Sequence, residues 1–543
     1  MILGLYNFLC KDNSKSNFVI NIEITKKKIA SLLVLILIAT VIQTISTMNG
    51  VYEDPLVDYE AGLRHLQGQV LYRDYYLPHG PFGGLLFAFF LLLTPTGGFA
   101  LILASVTLNV IAVILIWKIL LITTNSLRYA FYGGLVTAFW YQVQMGGFYH
   151  HHLSYLLVLG AFLTSICNLS QRVKIIVSAI CFSLAFHSHQ NIGLWGLAAF
   201  IIMSALVRGR VFFSVKESLF FSGIYIASHF TIVGSIFLFS DINNYFYYTF
   251  HIPMKWASVN KHFFHPFISL FIPYSINPVT AFSKPNLGQL LFYPIVALFY
   301  IAYLSIFIKR KSLTEENHFT ITFMILSTLW CSAVVSRLFT EVTFALGGIL
   351  AMTLFSWRDK LSYKLEYSII SFYIIIGVIF LGNNRHFFDN SEVKHFRSTD
   401  LFPVKIKQSD FPHINLSAII DVIEYLDGKL GNIAVIDDNG ILIPLALRKA
   451  PLDPTLFYNE GLTVPSDIKE REKWQYDFIE KIEQHNILFF VSTLHATNMQ
   501  FRWLFEAGDG QSKTLPLLMN YIKTHYSLVF EKEGIMVYKR IFL

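Results

Sequence analysis

Charged residues are scarce in this chain. Of its 543 residues only 14% are Asp, Glu, Lys or Arg, whereas 54% are hydrophobic. Because soluble domains carry roughly 25% charge, this composition excludes an ordinary soluble protein and predicts that most of the chain is embedded in a membrane. The net charge of +7 is modest and no basic stripe is visible, which argues against a nucleic-acid partner.

Cysteine is also rare. Its four positions are Cys10, Cys167, Cys181 and Cys331, and the last three lie in or beside apolar segments. This usage predicts no disulfide framework and leaves the redox compartment undecided. The polar C-terminal part has no glycine fingerprint for binding phosphate.

What the chain has in abundance is long apolar segments, which recur from residue 29 to about residue 381. The first, Ile29–Met48, has the ~20 residues needed to cross hydrocarbon. It follows the basic run Lys26–Lys28, which the positive-inside rule places in the cytoplasm. No small-residue cleavage site is visible, so we expect a retained anchor.

The segment Phe82–Leu93 decides the topology. Basic residues near positions 128, 172–174, 208–210, 309–311 and 358–360 all become cytoplasmic if this segment does not cross. It is also the shortest segment, and Pro81, Gly83 and Gly84 interrupt it. We therefore interpret it as a re-entrant or interfacial helix on the outer face. The predicted fold is a polytopic α-helical membrane protein with about 11 transmembrane helices.

The predicted organisation has three parts. Residues 1–28 form a cytoplasmic N-terminus, residues 29–381 a transmembrane module with external loops 51–97 and 241–286, and residues 382–543 a small extracytoplasmic α/β domain. In this last part, alternation and turn residues predict strands at Asn432–Ile436 and Ile487–Val491 and a hairpin around Lys532–Gly534. Ser466–Ile482 and Leu515–Thr524 are expected to be helical.

The first external loop combines acids, bases and aromatics between Val57 and Pro81. Asp58 and Glu60 lie close together there, shortly after Glu53 and Asp54. Carboxylates at a membrane surface can act as a general base or bind a metal. The plainer alternative is a solvated acidic cap on a loop.

One succession of motifs favours chemistry. Asp58 is followed by Leu66-Gln67-Gly68, Tyr72-Arg73-Asp74 and Gly80-Pro81. This order resembles the GT-C superfamily of polyprenyl-phosphate-sugar glycosyltransferases, and within it the protein O-mannosyltransferases and aminoarabinose lipid A transferases. The resemblance implies a GT-C type fold and a catalytic aspartate at Asp58. Many members carry a second acid directly after that aspartate, where this chain has Tyr59, so Glu60 or the Glu53-Asp54 pair could take the supporting role.

The resemblance also implies a reaction. A lipid-linked sugar is attacked at its anomeric carbon by an acceptor hydroxyl or amine, and the carboxylate removes the acceptor's proton. A single base together with a cationic phosphate site implies inversion. Candidates for the phosphate site are Lys255, Lys261 and His265 in the long external loop, which could equally be interfacial anchors. Arg337, at the outer end of an apolar segment, is a further candidate because relatives often place an arginine there.

Three more residues are candidates for supporting or acceptor roles. Asp74 either contributes to the site or pairs with Arg73. His79 lies beside Gly80-Pro81, and His151 belongs to the triplet His150–His152. Three consecutive histidines in a loop cannot all face one ion, so we predict no metal site there. No cofactor is predicted with certainty, and a divalent metal remains open.

The sequence thus predicts a glycosyltransferase of the cytoplasmic membrane with its active site and C-terminal domain outside. Its expected partners are a polyprenyl-phosphate-linked sugar, membrane lipids and an acceptor that is a lipid, a protein or a polysaccharide, with no nucleic acid. One alternative is a lipid or polysaccharide transporter or flippase, although the apolar segments contain few ionisable residues, with Glu217 and His229 the main exceptions. The other is a non-catalytic membrane scaffold.

Overall fold

The structure is a computed structural model and is mainly helical. It describes residues 25–51, 53–77, 79–141, 146–206, 214–251, 254, 287–308, 314–334, 343–383, 393–395, 399–401, 403–407, 416–429, 431–436, 442–449, 467–492 and 515–541.

Most described elements are helices, and the described strands all lie after residue 392. The helices are α1 (Lys26–Asn49), α2 (Glu53–Leu66), α3 (Phe82–Leu93), α4 (Gly97–Thr124), α5 (Leu127–Trp140), α6 (His150–Ile166), α7 (Gln171–Ser188), α8 (Gln190–Leu206), α9 (Val215–Phe239), α10 (Ile242–Phe246), α11 (Leu287–Ile308), α12 (Glu315–Val334), α13 (Leu346–Ser356), α14 (Tyr363–Asn383), α15 (Leu416–Leu426), α16 (Leu442–Ala446), α17 (Ile468–Gln484) and α18 (Pro516–His525). The strands are β1 (Val393–His395), β2 (Lys405–Lys407), β3 (Asn432–Ile436), β4 (Ile487–Ser492), β5 (Tyr526–Lys532) and β6 (Ile535–Arg540).

Two compact units share the chain. The first comprises Met1–Thr47, Ser105–Ile232 and His262–Asn390, and the second comprises Met48–Ala104, Val233–Lys261 and Ser391–Leu543. The sequence predicted a boundary near residue 382. The second unit contains both the first of the predicted external loops and most of the predicted C-terminal domain. The predicted domain bounds stay a prediction.

Three of the described helices are long and apolar enough to cross a membrane. These are α1, α4 and α9, with 24, 28 and 25 residues. Helix α3 has only 12 residues, and at 1.5 Å per residue it rises about 18 Å, well short of the ~30 Å of hydrocarbon. Because α13, in a segment predicted to cross, is shorter still with 11 residues, length does not separate the two cases, and the non-crossing topology of α3 stays a prediction. The total of about 11 spans stays a prediction.

Polar side chains in the first unit bond within the helical bundle. The Tyr155 hydroxyl on α6 lies 2.8 Å from Oγ of Ser327 on α12. The Trp140 Nε1–H donates to the Tyr373 carbonyl at 2.9 Å. Buried polar groups without such partners would cost free energy, so these bonds add specificity to an otherwise apolar bundle.

Helices α2 and α3 of the second unit approach each other closely. A Cβ added at Gly62 on α2 would lie 2.8 Å from the Ala88 backbone nitrogen on α3. A Cβ added at Gly84 would lie 2.7 Å from the Ala61 Cβ. Only residues without side chains fit here, so small residues on both helices set the separation of this helical hairpin.

Asp400 ties this hairpin to the C-terminal part of the second unit. Its carboxylate accepts from the Tyr59 hydroxyl at 2.6 Å and from the Gly97 amide at 2.8 Å. The Arg448 guanidinium lies 3.3 Å from its other oxygen. Because Gly97 begins α4, the carboxylate also lies at the positive end of a helix dipole. Burial and then the Asp400 charge raise the pKa of Tyr59 well above its usual value, so the phenol remains a donor.

The C-terminal sheet has the order β3-β4-β6-β5. Strands β3 and β4 are parallel, whereas β6 pairs antiparallel with both β4 and β5. Glu533 (φ 48°) and Gly534 (φ 87°) turn between β5 and β6, as a two-residue hairpin with both central residues at positive φ requires. The predicted hairpin is confirmed.

A compact apolar core lies between this sheet and its helices. Trp474 and Phe478 of α17 pack with Leu518 of α18 and with Phe490 of β4. Both helices begin and end within two residues of the predicted helical segments, because the apolar periodicity that fixes their buried faces is local.

Gly62→Ala is expected to destabilise the α2–α3 hairpin. The new methyl group meets backbone atoms that cannot move aside, and overpacking of this kind costs about 1–3 kcal/mol. Thermal unfolding in detergent micelles should show a clear fall in Tm.

Gly223→Ala is the matched control. Gly223 also lies in a helix, α9, but a Cβ there meets nothing within 4 Å. This variant should keep or raise the Tm, because alanine is the better helix former by about 1 kcal/mol. Equal Tm values for both variants would contradict the close packing.

Candidate active site around Asp58

Asp58 lies on the face of α2 that packs on α3. Its side chain is fully buried. A Cβ built on Gly83 would lie 2.2 Å from its Oδ1, so the carboxylate rests against the backbone of the first turn of α3. Helix N-termini carry a partial positive charge, and this position therefore favours a negatively charged carboxylate.

His79 lies beside the same carboxylate. Its Nε2 is 3.7 Å from Oδ1 of Asp58, and both side chains are buried. The separation suits an electrostatic contact more than a direct hydrogen bond. Of the residues predicted from the sequence, these two are the pair that the fold of the second unit brings together.

Glu60 has another partner. Its Oε1 lies 2.6 Å from Nη2 of Arg64, one turn along α2, and both side chains are buried. Arg64 Nη1 also donates to Gln69 at 3.2 Å, and its guanidinium lies 5.3 Å from the centre of the Tyr75 ring. The pair gives Glu60 a structural role, and the supporting role predicted for it in the chemistry stays a prediction.

Asp74 pairs with its neighbour, as one of the two sequence interpretations expected. Arg73 Nη2 lies 2.8 Å from its Oδ2, and the Val70 amide donates to that oxygen at 2.7 Å. Partial burial opposes ionisation, but the bonds from Arg73 and Val70, aided by the Arg73 and Lys481 charges, lower the pKa of Asp74 below its usual value. Asp74 thus shapes the loop that leads to His79.

Lys481 on α17 fixes the same loop from another direction. Its Nζ donates to the carbonyl oxygens of Arg73 at 3.2 Å and Asp74 at 2.9 Å. It also lies 4.9 Å from the centre of the Tyr76 ring, within the range of a cation–π contact. Burial, followed by nearby carboxylates, raises the pKa of Tyr76 to about 12.

Tyrosines of α10 and of the π-helical turn that follows it, Tyr247–His251, pack against this segment. Tyr72 contacts Tyr245 edge to face with ring centres 5.2 Å apart, and Tyr76 stacks on Tyr248 at 4.0 Å. The Tyr72 hydroxyl donates to the His79 carbonyl at 3.3 Å and accepts from Thr249 at 3.0 Å. These contacts fix the backbone at His79 and therefore the position of its ring relative to Asp58.

The histidine triplet does not lie in a loop, which corrects the sequence prediction. His150–His152 form the first turn of α6, and all three side chains are buried. The ring of His152 packs on Phe344, with centres 5.1 Å apart. His150 and His151 instead gather with His189, and one possible ligand atom from each lies within 4.8 Å of the others. Sequence reasoning missed this convergence because His189 comes from the next turn of the chain.

The predicted phosphate-binding residues cannot be placed. Lys255, Lys261, His265 and Arg337 lie outside the described residues, as do the side chains of Glu53 and Asp54.

Two solved structures are similar to this chain over nearly their whole length. ArnT from Cupriavidus metallidurans bound to undecaprenyl phosphate matches with a TM-score of 0.43 and 10% identity, covering 94% of this chain and 98% of that one. The same enzyme in the apo state gives a TM-score of 0.44 and 10% identity, covering 95% and 99%. No protein-family model matches the sequence, and no curated protein matches it. The likeness is loose, so the site above is assigned from its own residues.

Asp74→Asn is expected to lower the free energy of unfolding at neutral pH. In this variant the free energy of unfolding should also fall less steeply as the pH is lowered. The folded pKa of Asp74 lies below its usual value, so its contribution is present above a pH of about 4 and is lost as the pH falls through the folded pKa. Denaturation midpoints between about pH 2 and 7 would show the difference. The exposed Asp427, replaced in the same way, serves as the control. Identical pH profiles for Asp74→Asn and wild type would contradict the assignment.

Proposed function

We propose that this protein is a multi-pass membrane glycosyltransferase that transfers a sugar from a polyprenyl phosphate to an acceptor on the outer face of the cytoplasmic membrane. The observation that carries the proposal is the buried Asp58 carboxylate, which lies against the first turn of α3 and 3.7 Å from His79. The succession of motifs from Asp58 to Pro81 supports the same class of enzyme.

Asp58 is the proposed general base. The acceptor oxygen or nitrogen forms a bond to the anomeric carbon while the bond from that carbon to the phosphate oxygen breaks. The acceptor's proton passes to Asp58, and the polyprenyl phosphate leaves with the bonding electrons. A carboxylate within hydrogen-bond reach of the acceptor suits this step, and attack from the face opposite the phosphate inverts the anomeric carbon.

His79 is proposed to position the base or to contact the acceptor. The Tyr72 hydroxyl bonds to its backbone carbonyl. Its Nε2 lies 3.7 Å from Oδ1 of Asp58, the oxygen that also faces Gly83. His151, the other histidine candidate from the sequence, is proposed to act elsewhere, as argued below.

The leaving phosphate needs positive charge rather than an acid. Lys255, Lys261, His265 and Arg337 remain the proposed contacts, because they lie in the predicted external loops and their side chains carry or can acquire positive charge. Guanidinium and ammonium groups stabilise phosphate oxygens through charge-assisted hydrogen bonds.

A transporter is the weaker alternative. Ion-coupled transporters place ionisable groups near the membrane midplane. Glu217, one of the two exceptions in the apolar segments, lies in the first turn of α9 and exchanges hydrogen bonds with Ser214. It therefore caps a helix end. His229, the other exception, lies with its Nδ1 3.1 Å from Nε2 of His187.

Asp58→Asn should abolish transfer of labelled sugar from polyprenyl-phosphate donors into membrane extracts. Loss of a general base costs about 10²–10⁴ in rate, and asparagine keeps the size of the side chain. The comparison needs equal amounts of folded protein, judged by gel filtration and Tm. Asp427→Asn, an exposed aspartate of the same unit, is the control and should keep full activity. Equal transfer by Asp58→Asn and wild type would remove Asp58 as the base, and no transfer by wild type from any donor would favour the transporter or scaffold.

Gly83→Ala should lower the rate of sugar transfer, although Asp58 itself is not replaced. The added methyl group would overlap the Asp58 carboxylate, and a displacement of about 1 Å can cost on the order of 10² in rate. Transfer kinetics would be compared with Gly223→Ala, which adds the same methyl group in open space. Unchanged kinetics in a folded Gly83→Ala protein would mean that sugar transfer does not depend on the position of the Asp58 carboxylate.

A further inference from the structure

Three imidazoles gather where α6 begins. His150 and His151 occupy the first turn of this helix, and His189 lies between α7 and α8. The ring centres of His151 and His189 are 4.1 Å apart, those of His150 and His151 4.7 Å, and those of His150 and His189 5.6 Å. All three residues belong to the first unit.

The separations are close to those of a metal site. One nitrogen from each ring lies within 4.8 Å of the other two. Tetrahedral zinc holds imidazole nitrogens at about 2.0–2.1 Å, which places the nitrogens roughly 3.3 Å from one another. Each pair therefore closes by at most about 1.5 Å, which small rotations about the side-chain torsions supply.

Two of the three rings are buried. His150 and His151 are 6% and 5% exposed, and the ring of Tyr149 lies 4.1 Å from that of His151. Nδ1 of His189 is 3.4 Å from the Ile192 amide, at the long end of the hydrogen-bond range. A nitrogen that binds metal must carry a free lone pair, so metal binding through Nε2 would require this weak contact to yield.

We propose that His150, His151 and His189 form a binding site for a divalent transition metal of the zinc type. Imidazole nitrogens suit zinc, copper, iron or nickel, whereas magnesium and calcium prefer oxygen ligands. Three protein ligands leave a fourth position for water or another oxygen ligand, as in catalytic zinc sites. The inference does not depend on the proposed transferase activity, because it rests on the three rings alone.

The test is the zinc content of the full-length protein, purified in detergent with a histidine-free tag and dialysed after loading with zinc. We expect about one zinc per chain for wild type. For His189→Gln we expect a loss of about tenfold or more, because even changes to outer-shell partners cost about 10–100-fold in metal affinity. His65→Gln, which replaces an exposed histidine of the second unit, should keep the wild-type content. Absence of zinc from wild type, or equal content in wild type and His189→Gln, would overturn the proposal.

X-ray absorption of zinc-loaded wild type tests the metal ligands directly, even if His189→Gln does not fold. Three histidine nitrogens at about 2.0–2.1 Å are expected around the metal. A sulfur ligand or a shell of oxygens alone would overturn the site. Neither measurement involves sugar transfer. Failure of the metal-site proposal is therefore distinguishable from failure of the transferase proposal.

Discussion

The close contact between α2 and α3 is the constraint on which the candidate site depends. Gly62 and Gly84 let the two helices approach until backbone meets backbone, and Gly83 leaves a space that the Asp58 carboxylate fills. A larger residue at any of these positions would separate the helices or displace the acid. The same contact places Asp58 at the positive end of a short helix, where backbone dipoles stabilise a buried negative charge.

The sequence predicts the parts of this arrangement that depend on local patterns. The shortness of Phe82–Leu93 and the glycines and proline around it indicated a helix that does not cross the membrane, and α3 begins and ends at those residues. The β5–β6 hairpin follows from the turn chemistry at Glu533 and Gly534. The strands β3 and β4 follow from short apolar runs. Each of these signals is contained within about a dozen residues.

Contacts between distant parts of the chain could not be predicted in this way. Asp400 bonds to Tyr59, 341 positions away, and no local pattern at either residue indicates the other. His189 joins His150 and His151 only because α6 and α7 pack side by side. The triplet is expected in a loop because it lies between two apolar segments, whereas the structure places it in the buried first turn of α6.

The acids of α2 show why position rather than type decides a role. Glu60 and Asp58 are both buried and two residues apart. Successive residues on a helix are separated by 100°, so the two side chains leave α2 in different directions. Glu60 meets Arg64, so its buried charge is paired, and removal of either partner would leave an uncompensated buried charge. Asp58 meets the start of α3 and His79, and the partial positive charge of a helix N-terminus stabilises a carboxylate in that position. Helix α2 thus pairs one acid internally and directs the other at the start of α3, so two neighbouring acids differ in surroundings because helix geometry separates them.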